Sequence, residues 1–523
     1  MSDCPQAARG PFLERLHNLS AIESDGDFDV AILGGGVNGA CLYDSLCRRG
    51  YRTLLIDQGD FASGTSQASG MMIWGGLLYL RNLDFASVFQ LSRDRDRMAR
   101  AMPSRVSVSV MRYLPSARGD WSRRRVQAAL WLYWMMSLGT RRPPGFEASF
   151  EELEIVRPDL INGSLRFEEV LLNASDARFV LGWIAPHQLP GQVALNYCAA
   201  DGAYARSDKR WHLTLTDKLS GASLAATARV MVNCAGVWTD DVNTSFGIES
   251  PFRHALSKGV YLVTPRPPRH QTSLFFELEK EADVITFVPW GPVSLWGPTE
   301  TFVDDVAEGS KPSPEDVDYL LDHYQRRLRQ PLRREEIVSI RCGIRPLVVD
   351  RGFVKEGNPL DLSRRQEVFH DAERPWIACY GGKLTGCERM AARVVKVLGR
   401  MAAPSGAMGL TDDDWERDME TVTFPGLSQP VPSPAWCAQR EMCCTLEDYV
   451  RRRTNIGQWI PRLGFGREDE NATVLKQAAL RIAGGDAARA ASLFAQCQAR
   501  VMREIDPILT VPAFAGSNAY GGT

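Results

Sequence analysis

The chain has almost no net charge, no metal-type cysteine spacing and no long apolar run. Its 61 Lys and Arg residues balance 63 Asp and Glu, a formal charge of −2, which argues against a nucleic-acid partner. The 12 cysteines are scattered without a C-x-x-C, and only Cys443 and Cys444 are adjacent. That is neither a zinc pattern nor a disulfide framework, so no metal is expected and a reducing, cytoplasmic setting is. Met1 to Asp27 is polar and acidic and lacks the apolar segment of a secretory signal. No internal repeat is visible. What remains is ordinary globular protein, 44% hydrophobic and 24% charged, but its 523 residues exceed one compact core and predict two or three domains.

The most informative stretch is Phe28-Asp-Val-Ala-Ile-Leu-Gly-Gly-Gly-Val-Asn-Gly-Ala40. Val30 to Leu33 is an apolar strand, and Gly34, Gly36 and Gly39 follow as G-x-G-x-x-G, with Ala40 to Arg49 patterned as a helix. Gly34 permits the tight turn, Gly36 lets backbone N–H groups approach a pyrophosphate, and Gly39 lets the helix lie close to the strand. A second strand, Thr53 to Asp57, ends in a carboxylate 23 residues after Gly34, where an acid meets ribose hydroxyls. Together these predict a dinucleotide site.

Before it, Met1 to Asp27 is an extension with one amphipathic piece, Phe12 to Leu19. After it, Gln58 to Gly70 is a loop of small residues leading into Met71 to Leu80. Ala86 to Met102 is patterned as a solvated amphipathic helix. In Arg123 to Ser137 the apolar part, Ala128 to Met136, is shorter than the roughly 20 residues of a membrane span. It fits either a buried helix or an Arg-flanked helix on a membrane surface. Strand patterns fill Leu195 to Leu215 and Ala228 to Gly236. Val260 to Pro265, Val284 to Pro289 and Val293 to Gly297 predict a mainly antiparallel sheet. Helices are expected at Pro314 to Arg329, opened by Ser313-Pro314-Glu315, and at Cys387 to Met401. The remainder is helix-rich, notably Glu441 to Arg453 and Asn471 to Ile482, with a polar tail at Ser517 to Thr523.

Several motifs carry a family resemblance. They are Gly34 to Ala40, Gln58-Gly-Asp-Phe-Ala-Ser-Gly-Thr-Ser66, Gly75-Gly-Leu-Leu-Tyr-Leu80 and Val232-Asn-Cys-Ala-Gly-Val-Trp238. Ser257-Lys-Gly259, Gly343-Ile-Arg-Pro-Leu347, Gly381-Gly-Lys-Leu-Thr385 and Thr445 to Thr454 continue the series in order. In these the chain resembles the FAD-dependent glycerol-3-phosphate dehydrogenases, of the D-amino-acid-oxidase type of flavoprotein. The resemblance implies an α/β fold: a Rossmann-like, two-dinucleotide-binding FAD domain on a mixed parallel sheet, an antiparallel substrate domain and a C-terminal helical domain. The expected division is 1–27 extension, 28–405 interleaved FAD and substrate parts (FAD parts about 28–110, 196–250 and 376–405), and 406–523 helical domain.

The resemblance also implies non-covalent FAD, with its adenine end near Asp57, and hydride removal from a secondary alcohol to flavin N5. Cofactor contacts are expected from Gly34, Gly36, Val37, Asn38, Gly39, Asp57, Gln58, Ser63, Thr65, Ser66 and Gly75. Ala235, Gly236, Gly382, Lys383, Leu384 and Thr385 complete that set. Arg345 is expected as a pocket cation, Arg364 as another, and Tyr79 as a pocket phenol. Lys383 is expected to stabilise reduced flavin or bind substrate.

One region departs from the family. Met71, Trp74 and Leu78 stand where it ordinarily carries Lys, His and Arg, and the Arg at the Leu78 position helps grip the substrate phosphate. Pro298 and Glu300 alter a Gly-Thr-Thr-Asp run, and Gly386 replaces a second Thr. A hydrogen bond to a charged group contributes on the order of 1.5–3 kcal/mol, so losing two or three weakens phosphate binding about a hundredfold to many thousandfold. Trp74 therefore joins the expected catalytic pocket as an altered wall, and the reading is a secondary-alcohol oxidoreductase whose small-molecule substrate is not glycerol-3-phosphate. An amine or amino-acid oxidase, or a true glycerol-3-phosphate dehydrogenase, are the alternatives. The electron acceptor, whether oxygen, quinone or another, is left open, and membrane contact is at most peripheral.

Overall fold

A computed structural model describes residues 13–117, 119, 121–278, 284–353, 359, 362, 364–406, 408–409 and 415–510. The polar tail from Ser517, and Phe12 with the residues before it, lie outside these.

The first sheet is built on parallel strands that run Trp376–Tyr380, Ser223–Asn233, Asp27–Leu33, Thr53–Ile56 and Gln192–Leu195 across it. These strands are buried almost without interruption, as expected where both faces are covered. Register pairs Val30 with both Thr53 and Val230, so the turns at Gly34 and Cys234 emerge side by side from the carboxyl edge. That edge is where open α/β sheets bind ligands. Arg210–Asp217, paired antiparallel to the long Ser223–Asn233 strand, alternates buried and exposed residues because one face is open to water.

The second sheet has ten strands and is mainly antiparallel, as expected; Ser273–Glu277 beside Val106–Leu114 is a parallel pairing. Its spine is Phe252–Pro265, paired along its length with Ser339–Asp350. This register sets Ser257 opposite Arg345 and Gly259 opposite Gly343. Met72–Ile73 and Val106–Leu114 belong to this sheet rather than to the parallel one.

The helices differ from expectation in two places, and a third bears on a choice the sequence left open. The N-terminal piece is a helix, Leu13–Ser24, docked by a buried Arg15–Asp217 ion pair at 2.6 Å. Glu441 to Thr445 is not helical: the Cys444 and Thr445 amides both donate to Asp448 Oδ2, and a wide turn, Asp448–Arg453, follows. Arg123–Met136 is a helix but not a buried one. Val126, Leu130 and Tyr133 face inward, while Trp131, Leu132 and Met135 stay exposed on the other side. The helix Pro314–Arg327 has the expected start, with Ser313 and Asp316 forming a reciprocal capping box.

The C-terminal helices have their own apolar core, including Leu446, Tyr449, Ile456, Leu475 and Phe494. They are tied to the Gln58–Ser66 loop by charge. Asp60, fully buried, takes Arg452 Nε at 2.6 Å and Arg453 Nη1 at 2.7 Å. Burial pushes the Asp60 carboxyl up, but Arg453 and Arg452 outweigh it and hold the group to about 2.

Candidate active site

A cavity of about 1020 Å³ opens between the two sheets. One end is lined by backbone and small side chains from the carboxyl edge of the parallel sheet, the other by long side chains from the antiparallel sheet.

At the first end, Gly34 has φ +104°, and a Cβ there would lie 2.5 Å from the Cys234 carbonyl. At Gly36 a Cβ would meet only Ser66 Oγ, at 3.2 Å, so the backbone is open to the cavity at the start of helix Val37–Cys47. Gly39 does not line the cavity; its missing Cβ would fall 1.9 Å from the Gly34 carbonyl, so it serves helix–strand packing. Val37 N donates to Ser66 Oγ (3.0 Å), and Thr65 Oγ1 donates to the Ile344 carbonyl (2.6 Å), closing the loop over the turn. Asn38 Nδ2 donates to the Gly381 carbonyl, whereas its buried Oδ1 has no partner among the described residues. Gln58, Ser63, Ala235 and Gly236 line the same end, Gly236 at φ +60° with open space beyond it.

Asp57 also lines the cavity, yet both its oxygens are engaged: Oδ2 accepts from Gly35 N (2.7 Å) and Oδ1 from Gly59 N (2.9 Å). Burial outweighs these bonds and raises its carboxyl to about 6. The acid therefore also braces the turn.

At the other end, Lys383 Nζ donates to Tyr79 Oη at 2.6 Å. Burial, aided by Arg364, holds the Lys383 ammonium well below its usual range, while burial raises Tyr79 to about 12. Gly382, Leu384 and Thr385 line the cavity beside Lys383; Thr385 Oγ1 donates to the Trp74 carbonyl (2.9 Å). Trp74 stacks on Phe275, ring centroids 5.5 Å apart. Trp74 and Leu78 face the cavity, but Met71 does not. It sits at φ +64°, buried in the central core, so the altered wall is two residues wide rather than three. Gly75 is likewise behind the wall, its amide directed to Glu169 Oε2 at 3.4 Å.

Arg345 and Arg364 both reach the cavity, and both meet Glu300, at 3.0 and 2.9 Å. Sequence reasoning had marked Glu300 as a departure without seeing this role. It also missed Tyr261, Phe275, Thr286 and Trp238 as lining residues. Ser257, Gly259 and Tyr261 share one strand face by alternation, and a Cβ at Gly259 would fall 2.2 Å from Arg345 Nη2. That alternation was the available signal.

A parallel sheet presenting an open glycine turn, a second Ala-Gly turn beside it and an unpartnered Asn38 Oδ1 fits a dinucleotide, and the adjoining pocket fits a small substrate. This is the layout of a flavoprotein oxidoreductase. The chain belongs to the DAO family of FAD-dependent oxidoreductases, whose profile matches residues 29–383, and its cofactor is FAD. It is 27% identical over 386 residues to an aerobic glycerol-3-phosphate dehydrogenase of Staphylococcus epidermidis, covering 72% of this chain and 68% of that one. In structure it resembles a Bacillus halodurans glycerol-3-phosphate dehydrogenase complexed with FAD, with TM-score 0.64, 20% identity, and 97% and 100% of the two chains covered. It also resembles a glycine oxidase from Geobacillus kaustophilus, with TM-score 0.51, 18% identity, and 73% and 97% covered. Both likenesses define the fold. Among the described residues no helix is long and apolar enough to cross a membrane.

Proposed function

We propose that the enzyme oxidises a secondary alcohol other than glycerol-3-phosphate. The observation that carries this is the pairing of Lys383 with Tyr79 beside an apolar wall of Trp74 and Leu78. FAD, when bound, supplies the two-electron acceptor. Gly34, Gly36, Val37, Asn38, Ser66, Gly236 and Gly382 would hold it, and the chain's own side chains do the rest. Lys383, whose ammonium burial holds well below its usual range, is placed to receive the proton of a carbinol hydroxyl at Nζ, and Tyr79 Oη orients that nitrogen. Trp74 and Leu78 exclude water and pack an apolar part of the substrate, at roughly 25 cal/mol per Å² buried.

The same two residues disfavour a phosphate. A dianion against this wall loses hydration that Trp74 and Leu78 do not replace. The amine-oxidase reading is favoured by a carboxylate, Glu300, in the pocket. That carboxylate is already taken by two arginines and Ser257, so the alcohol reading is the stronger. The described cysteines are all unlinked, in keeping with a reducing compartment.

The test is anaerobic bleaching of the bound flavin across secondary alcohols, hydroxy acids, amines and glycerol-3-phosphate. Bleaching by a member of the first two groups is expected. Rapid bleaching by glycerol-3-phosphate at micromolar concentration, or by amines and not alcohols, overturns the reading.

A further inference from the structure

Three aromatic rings run from the core of the antiparallel sheet to the substrate end of the cavity. Phe167, on strand Ser164–Leu172, meets Phe275, on strand Ser273–Glu277, edge to face at 5.6 Å and 61°. Phe275 is 1% exposed, and Trp74 lies on it nearly parallel, with 18° between the planes and 5.5 Å between the centroids. That is the offset stack aromatic pairs prefer, and it fixes the plane of the indole. The Trp74 backbone is held as well. It follows strand Met72–Ile73, which pairs with Ser164–Leu172, and its carbonyl accepts from Thr385 Oγ1 at 2.9 Å.

Phe275 takes one face of the indole. Trp74 is otherwise half-buried and lines the cavity, which Leu78 and Val284 also line. The neighbouring Tyr79 ring is covered by Lys383 Nζ, 4.0 Å from its centroid, whereas among the described residues no cation lies over the Trp74 ring. We propose that Trp74 is a specificity-determining residue, a fixed ring face that selects a substrate whose apolar portion is aromatic. An aliphatic group of equal area gains the same burial, but only a flat ring adds the favourable geometry of a second stack. Because Phe275 already holds the indole in plane, little side-chain freedom is left to lose when a ligand ring settles on it. This deepens the secondary-alcohol reading and rests on it: the substrate becomes a secondary alcohol that carries an aromatic group.

The test uses oxidised holoenzyme and two tertiary alcohols, dimethylphenylcarbinol and dimethylcyclohexylcarbinol, read as perturbation of the flavin absorption band. Neither has a carbinol hydrogen to lose. The cyclohexyl compound has at least as much apolar surface, so burial alone does not favour the phenyl one. Wild type should bind the phenyl compound about two- to tenfold more tightly. Trp74→Leu should lose that preference, and Trp74→Phe, which restores a ring face, should keep most of it. Equal or tighter binding of the cyclohexyl compound by wild type, an unchanged preference in Trp74→Leu, or no perturbation by either compound overturns the proposal. So does loss of flavin from Trp74→Leu while Trp74→Phe retains it, which would give the ring to the cofactor. The wild-type comparison decides even where a variant fails to fold. Because neither probe reduces flavin, these outcomes stand apart from the bleaching panel, where failure of the alcohol reading would show.

Discussion

The two ends of the cavity are built on different principles. The glycine-lined end uses backbone: turns at Gly34 and Gly236, the start of helix Val37–Cys47, and a loop closed by Ser66 and Thr65. Its contributors sit close together in the chain or on neighbouring parallel strands. The other end uses long side chains delivered from far apart: Trp74 and Tyr79, then Tyr261, Glu300, Arg345, Arg364 and Lys383. A backbone cradle tolerates few substitutions because atoms would overlap. A side-chain pocket tolerates many, and each one changes what fits. The cofactor cradle is therefore the more constrained end, and the side-chain pocket is where specificity is free to vary.

The largest effect should come from cutting the anchor that the first end owes to distant residues. Asp60→Ala removes the buried carboxylate that Arg452 and Arg453 share, leaving Arg452 to Asp448 and Glu447 and Arg453 to the more distant Glu441, an expected cost of about 3–5 kcal/mol. Denaturant midpoints and the flavin-to-protein ratio should both fall; a variant as stable as wild type with full flavin would show that the loop needs no help from the C-terminal helices. Next, Gly39→Val should cost roughly 1–3 kcal/mol, since the added side chain overlaps the Gly34 carbonyl. Loss of flavin on gel filtration is the readout, and normal flavin content would refute the close-packing argument.

A pH effect is expected at His254, which joins the two sheets. Gly381 N donates to His254 Nε2 at 3.0 Å, and burial lowers the ring to about 3. The unfolded chain therefore binds more protons between about 3 and about 6.5, and stability is fully present above that window and falls as pH drops through it. Subtracting the melting-temperature profile of His254→Gln from that of wild type should leave a difference that shrinks below pH 6.5; a flat difference would contradict this. The smallest structural effect should follow Trp74→His with Leu78→Arg. Flavin content should hold, while glycerol-3-phosphate begins to bleach the flavin. If that double variant loses flavin instead, the two ends are not separable.

Reading from sequence succeeded where a residue's task is set by its own backbone. Gly34 and Gly36 were readable because a tight turn and an open backbone restrict the residue type. Asp57 was readable by position, but its bonds to Gly35 and Gly59 depend on a turn whose path spacing does not reveal. Glu441 to Arg453 has helical composition, yet Asp448 captures the Cys444 and Thr445 amides and delays the helix to Leu446. Met71 was misplaced because its positive φ turns the side chain from the cavity into the core.

The amino-acid order by itself determined the parallel sheet, the dinucleotide turn and the family, because period, glycine spacing and apolar runs are local properties. Tertiary structure decided the rest. Glu300 lies 45 and 64 positions from Arg345 and Arg364, and Ser257, Arg345 and Glu300 come together because Phe252–Pro265 pairs with Ser339–Asp350 and also with Val293–Gly297 and Thr301–Val303. The net charge of a pocket is a sum over side chains that meet in space, and no spacing along the chain records that sum.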